Sequence, residues 1–225
     1  MISAILLGAG ESKRMGVNKL LLPWGKKSVF EHCLDSLLRS NIREVVVVLS
    51  DPSKEMRNRL KKSSVLMNKN VKVEMNRDYK KGMSTSIRKG LKRIDPRSDG
   101  ILIALGDQPF LNPRTINALI RAFDQGRGEI IVPSFREVKG HPVIFHRRLK
   151  KELLKLRGDA GGRSLLRKHA GSIRTVAVRS EGVLKDIDTW QDYNPPPPRP
   201  PPREPGGSRE GGGRQVREST PRNSH

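Results

Sequence analysis

A chain of 225 residues has room for one ordinary domain with a real core, or for one domain and a tail. Its 45 lysines and arginines against 23 acids, a formal charge of +22, favour anionic partners: nucleotides, phosphorylated metabolites, nucleic acid or an anionic surface. The single cysteine, Cys33, excludes an intrachain disulfide and a CxxC metal knuckle, and no apolar run approaches the length of a membrane span.

Residues 195–225 hold six of the arginines and three of the glutamates, so the positive excess belongs mainly to the part ahead of them. The opening ISAILLGAG is too short for a secretory apolar region and runs straight into glycine. With the lone cysteine, this predicts a cytoplasmic location.

AILL at 4–7 reads as a strand, and Gly8, Gly10 and Gly16 frame the loop that follows it. Glycine permits positive φ and close backbone approach, so successive N–H groups can turn inward as an anion nest. Ser12, Arg14 and Lys19 add a hydroxyl, a planar fork and a point charge to the same loop. A solvated basic turn would show a similar composition. Phe30, Cys33, Leu34, Leu37 and Leu38 then repeat at three-and-four spacing, which predicts a helix with Cys33 as a buried core thiol.

EVVVVL at 44–49 and VKVEM at 71–75 predict two more strands. In NRDYKKGMSTSIRKGL, Ser84, Thr85 and Ser86 fall near a helix N-terminus, where hydroxyls and free N–H groups can bind a base edge or a phosphate, or simply cap. GILIAL at 100–105 is followed by GDQP, which puts Asp107 at a strand's carboxyl end. A carboxylate facing a triphosphate is repelled unless a divalent cation lies between them, so Asp107 implies Mg2+. Asn112 and Pro113 open a helix carrying Ile116, Leu119, Ile120 and Phe123, and EIIVP at 129–133 is the next strand.

His141 in GHPVIF stands alone and is given no general-base role. In KDIDTWQDY, Asp186 and Asp188 lie two apart and point the same way on an extended segment, so one of them completes the metal site if this segment returns to the sheet; a turn or helix-start cluster is the other reading. From residue 194 on, proline, glycine and arginine replace apolar residues, which predicts a domain over 1–193 and a disordered tail over 194–225. The alternation of strands and helices predicts an α/β fold with a mostly parallel sheet and functional residues after the strands.

GAGESKRMGVNKLLLPWG, NRDYKKGMSTS, LGDQP, GHPVIF, LRGDAGGR and DIDTWQDY, in this order over residues 2–193, resemble the molybdenum cofactor nucleotidyltransferases, and more closely their cytidylyl branch. The resemblance implies a three-layer Rossmann-like nucleotidyltransferase fold with a mixed, mostly parallel sheet. It implies that Leu7, Gly8, Ala9 and Gly10 contact the nucleotide, that Arg14 and Lys19 hold the triphosphate, and that Asn76 and Ser86 lie near base and ribose. Arg14, Lys19 and Asp107 would be the catalytic set, Asp107 and Asp188 the Mg2+ ligands. The stretch LRGDAGGR would face the acceptor.

The implied reaction joins CTP and a phosphorylated pterin, the molybdopterin cofactor, with loss of pyrophosphate. The attacking phosphate is already ionised, so positioning and cations matter more than a strong base. Guanylyl-transferring relatives commonly carry an acid directly before the loop lysine, where Asn18 stands here; GTP or another phosphorylated acceptor are the alternatives. A molybdoenzyme or its chaperone is a further expected partner; a membrane and a specific nucleic acid are not. A nucleic-acid binder using RNRLKKSS, HRRLKKELLKLR and LRKHAGSIR as a basic face is the competing class, disfavoured by two Trp, two Tyr and five Phe for base stacking.

Overall fold

The computed structural model describes residues 1–10, 14–50, 58, 68–126, 128–159 and 161–193. The expected tail over 194–225, Ser12, and the RNRLKKSS stretch apart from Asn58 lie outside the described residues.

The apolar runs become strands because each side chain finds a covered face. In β1 (Ile2–Gly8), Ala4 and Leu6 enter one core and Ile5 and Leu7 the other, and all four are buried. β2 (Pro23–Trp24) and β3 (Lys27–Ser28) form a small antiparallel ribbon leading into α1 (Val29–Leu38). There follow β4 (Glu44–Ser50), β5 (Val71–Asn76), α2 (Met83–Leu91), β6 (Gly100–Leu105), α3 (Pro113–Asp124), β7 (Ile130–Phe135), β8 (Val138–Lys139), β9 (Val143–His146), α4 (Lys150–Leu153), α5 (Arg163–Lys168) and β10 (Ile173–Ala177).

The main sheet runs β10-β7-β9-β6-β1-β4-β5, with β8 paired to β7. β1 lies parallel to β4 and β6, β4 to β5, and β7 to β10, while β9 runs antiparallel between β6 and β7. This is the expected mixed, mostly parallel sheet. Helices α1 and α3 pack on one face through Phe30, Leu34, Leu37, Ile116 and Leu119. Helix α2 covers the other through Ile87 and Leu91, joined by Leu153 and Leu165 of the later helices. β5, at the edge, is only partly buried along most of its length.

Local chemistry fixes the helix starts. Ser28 and Glu31 form a capping box at α1: the Ser28 Oγ accepts from the Glu31 N–H at 3.3 Å and the Glu31 carboxylate accepts from the Ser28 N–H at 2.9 Å. Asn112 caps α3 as the sequence predicts, its Oδ1 accepting from the Thr115 N–H at 2.9 Å with Pro113 at the first helical position. Among the described residues no helix is long and apolar enough to cross a membrane.

The topology matters most where it reverses. From β1 the chain steps to β4 and β5 on one side and then to β6 on the other, so the carboxyl ends of β1 and β6 lie together, with Leu7 in register with Leu105. Such a reversal opens a crevice at the sheet's upper edge.

Candidate active site

The loop after β1 leaves the sheet over α1. A Cβ on Gly8 would lie 2.6 Å from the Phe30 ring and 2.9 Å from Leu49 Cδ2, so only glycine allows the backbone to descend this close to the core. Beyond Met15, Asn18 caps a short 3₁₀ turn over Lys19–Leu21 by accepting from the Leu20 N–H at 3.2 Å. Leu20 and Leu21 are buried in the α1 side of the core, which anchors this turn and holds Lys19 at the crevice.

Lys19 is the hub of the site. Its Nζ lies 2.8 Å from Asp107 Oδ2 and 2.7 Å from Asp188 Oδ1, with its side chain 12% exposed. Burial alone would lower its pKa, but Asp107 and Asp188 outweigh that effect and raise it above the ordinary lysine value. Arg14, on a side chain 73% exposed, reaches Asp188 Oδ2 at 3.1 Å.

The segment carrying Asp188 does return to the sheet. The Ile187 N–H donates to the Asp107 carbonyl at 2.9 Å, and the Ile187 side chain is buried with Met15, Trp24 and Val29. With Ile187 held inward, Asp107, Asp186 and Asp188 each present an oxygen within 4.8 Å of the others'. Sequence spacing pairs the last two and the resemblance selects Asp188; the fold brings Asp186 to the same place. Burial, then the nearby charges of Asp107 and Asp188, raise the pKa of Asp186. Asp107 Oδ1 is buried with no hydrogen-bond partner. Three carboxylates and an orphaned buried oxygen suit a hard divalent cation, which takes oxygen ligands.

A cavity of about 500 Å³ opens above these groups. Every residue expected at the nucleotide lines it (Leu7, Gly8, Ala9, Gly10, Arg14, Lys19, Ser86 and Asp107) except Asn76. Asn76 is fully buried one layer behind: its amide donates to Thr85 Oγ1 at 2.8 Å and Ser86 Oγ at 2.9 Å, while its Oδ1 accepts from the Asp78 N–H at 3.1 Å. It therefore positions Ser86 from below.

The free donors expected at the α2 N-terminus are already engaged. The Met83 N–H donates to Asp159 Oδ1 at 3.0 Å, the Ser84 N–H to the Gly158 carbonyl at 3.1 Å and the Thr85 N–H to the Gly82 carbonyl at 3.1 Å. The stretch LRGDAGGR thus caps this helix, and Asp159 lines the cavity. Tyr79 and Lys80 also line it, unanticipated; the lysine pair in NRDYKKG was the available signal.

His141 donates its backbone N–H to the Val183 carbonyl at 2.9 Å; its ring Nδ1 is buried with no hydrogen-bond partner, and burial followed by the Arg163 charge lowers the ring's pKa. Cys33 is the buried core thiol expected, its Sγ donating to the Gly106 carbonyl at 3.3 Å and its pKa raised by burial.

A switch-point crevice with a glycine-rich rim, cations on one wall and clustered carboxylates at the floor belongs to the α/β proteins that bind nucleotides. Residues 4–173 match the MobA-like NTP transferase domain, and the chain belongs to that family of nucleotidyltransferases. It is 29% identical to the purine catabolism protein PucB of Bacillus subtilis, over 84% of this chain and 93% of that protein. It is 27% identical to the nicotine blue oxidoreductase of Paenarthrobacter nicotinovorans, over 84% and 92%. It is 23% identical to the molybdenum cofactor cytidylyltransferase of Escherichia coli, over 85% and 93%. A probable molybdenum cofactor guanylyltransferase of Methanosarcina mazei matches at 27% over 68% and 67%. Among solved structures, Rv0371c of Mycobacterium tuberculosis is 31% identical with a TM-score of 0.74, covering 85% of this chain and 94% of that one; a second Rv0371c structure holds manganese and gives a TM-score of 0.71 at 30% identity over 85% and 95%.

Proposed function

We propose that this chain is a Mg2+-dependent cytidylyltransferase: an oxygen of the terminal phosphate of molybdopterin cofactor bonds to the α-phosphorus of CTP, and the bond to the β-phosphate breaks, releasing pyrophosphate. The observation that carries the reading is the meeting of Lys19 and Arg14 with Asp107, Asp186 and Asp188 below the glycine rim. Two anions have to approach and charge builds on the leaving group, so preorganised cations are what the step requires. In this reading Gly8, Ala9 and Gly10 cradle the nucleotide with backbone N–H groups, and Arg14 and Lys19 bind the triphosphate. Ser86 lies toward base and ribose, with Asn76 holding it. Asp107, Asp186 and Asp188 would hold the divalent cation, which when bound supplies further neutralisation of phosphate charge.

For the base, support comes from Asn18 in place of an acid before Lys19. Residues 1–193 form the catalytic unit in this reading, acting in the cytoplasm and passing product to a molybdoenzyme or its chaperone. Pyrophosphate release from MgCTP and molybdenum cofactor is the test. Lys19→Ala or Asp107→Ala is expected to lower turnover by about 10²- to 10³-fold; wild-type turnover in both would remove the assignment. Thermal shift against CTP, GTP, UTP and ATP with Mg2+ identifies the base, since the preferred triphosphate raises Tm by mass action.

A further inference from the structure

The position of the Lys19 ammonium raises a question that triphosphate binding alone does not answer. It sits between two of the carboxylates that the proposed function gives to a divalent cation, 2.8 Å from one oxygen of Asp107 and 2.7 Å from one oxygen of Asp188. A divalent ion held by Asp107 and Asp188 would lie close to this ammonium, and two cations that close together repel strongly in a partly buried site. Arg14 adds a second positive group on the far oxygen of Asp188.

We infer that Lys19 is an internal counter-cation that closes the carboxylate cluster to free divalent metal until a triphosphate draws it away. The inference rests on the proposed function, because it needs both ligands to share this cavity. The anchoring of the turn says what moves: Leu20 and Leu21 are buried and Asn18 caps the turn, so the backbone stays and the four-carbon stem swings. A phosphate oxygen replaces the carboxylates as partner, and the freed carboxylates of Asp107 and Asp188 would then be available, with Asp186, to hold a divalent cation. Asp107 Oδ1, buried and unpartnered, is the oxygen of this carboxylate that Lys19 leaves open. The consequence is a reciprocal coupling: nucleotide tightens metal binding, and metal tightens nucleotide binding by the same factor.

This reverses the naive expectation that removing a residue from the site weakens every ligand. The measurement is Mn2+ alone, titrated into the full-length protein and followed by loss of the free-ion paramagnetic resonance signal. Lys19→Met, which keeps most of the stem's volume, is expected to bind Mn2+ at least about tenfold more tightly than wild type. Lys19→Arg keeps the charge and is expected to bind no more tightly than wild type. Lys19→Gln, also uncharged, is the second variant should Lys19→Met prove unstable by thermal melting, and the same gain is expected of it. Lys80→Met is the control, because Lys80 lines the same cavity away from the Lys19–Asp107–Asp188 ion pairs; its change should be severalfold smaller.

Equal Mn2+ affinity in wild type and Lys19→Met, or an equal gain in Lys80→Met, overturns the counter-cation while leaving the transferase reading standing. If no variant takes up Mn2+, and CTP brings none to the wild type, the site itself is misassigned and the inference falls with it.

Discussion

Glu44 opens β4 with its side chain almost wholly buried, yet it stays charged because three donors meet it. Ser3 Oγ donates at 2.7 Å, Lys72 Nζ approaches at 2.6 Å, and the Asp95 N–H donates to the same carboxylate. Burial would raise its pKa, but the bonds from Lys72, Asp95 and Ser3 together bring it below the ordinary value of 4.5. A carboxyl whose folded pKa is depressed contributes stability above its unfolded pKa, and that contribution is lost as pH falls through the folded value. Glu44→Gln is therefore expected to cost about 2 kcal/mol in urea unfolding at neutral pH. The gap between variant and wild type should close as the pH is taken below 4.5; a gap that stays constant into acid would show that shape, and not charge, is what Glu44 supplies. Lys19 shows the same competition at the crevice, where two acids overcome the burial of a cation.

Helix α2 begins against another loop, and its first residues depend on that contact. Gly82 has φ +104°, and a Cβ there would meet the Gly158 carbonyl carbon at 2.4 Å and its oxygen at 2.6 Å. Gly82→Ala is expected to lower stability by about 2 kcal/mol through backbone strain alone. Relief of the clash also pushes Gly158 and Asp159 away from the Met83 and Ser84 N–H groups they accept from. A melting point lowered by roughly 6 °C, with a raised KM for nucleotide, is the expected outcome; an unchanged melting point would mean the loop yields freely. This junction also marks how far the sequence could be read. The strands were legible because β1, β4 and β6 are covered on both faces and so show unbroken apolar runs. The cap at Asn112 and the glycine rim were legible because their chemistry is local. What joins distant segments was not: the Ile187–Asp107 hydrogen bond that carries Asp186 and Asp188 to Asp107 spans 80 positions, and Asp159 reaches Met83 across 76. The resemblance implies Asn76 near base and ribose; the fold places it behind the cavity lining, with its amide donating to hydroxyls on a helix that only folding brings beside β5.

At the scale of the molecule, the last described segment closes the site from outside the strand order. Tyr193 donates to the Pro23 carbonyl at 2.5 Å and packs near Trp24, with ring centroids 6.2 Å apart. Asp192 accepts from the Asp188 N–H at 3.1 Å and from the Thr189 N–H at 2.7 Å and hydroxyl at 2.8 Å. Thus the residues just after the carboxylate pair fix the backbone of Asp188 itself, and they tie it to the β2–β3 ribbon that leads into α1. Two truncations separate this latch from residues 194–225. Ending the chain after Tyr193 keeps every one of these bonds, so melting point and pyrophosphate release are expected to match the full chain, consistent with 1–193 as the catalytic unit. Ending it after Thr189 removes both Asp192 and Tyr193. The melting point should fall by several degrees, roughly 2 to 4 °C for each kcal/mol lost, and metal-dependent turnover should fall further than stability alone explains, because Asp188 loses the group that holds it. A shorter chain that melts early yet transfers at full rate would show that Ile187, buried beneath, positions the carboxylates unaided; a drop already present after Tyr193 would place part of the functional fold in residues 194–225.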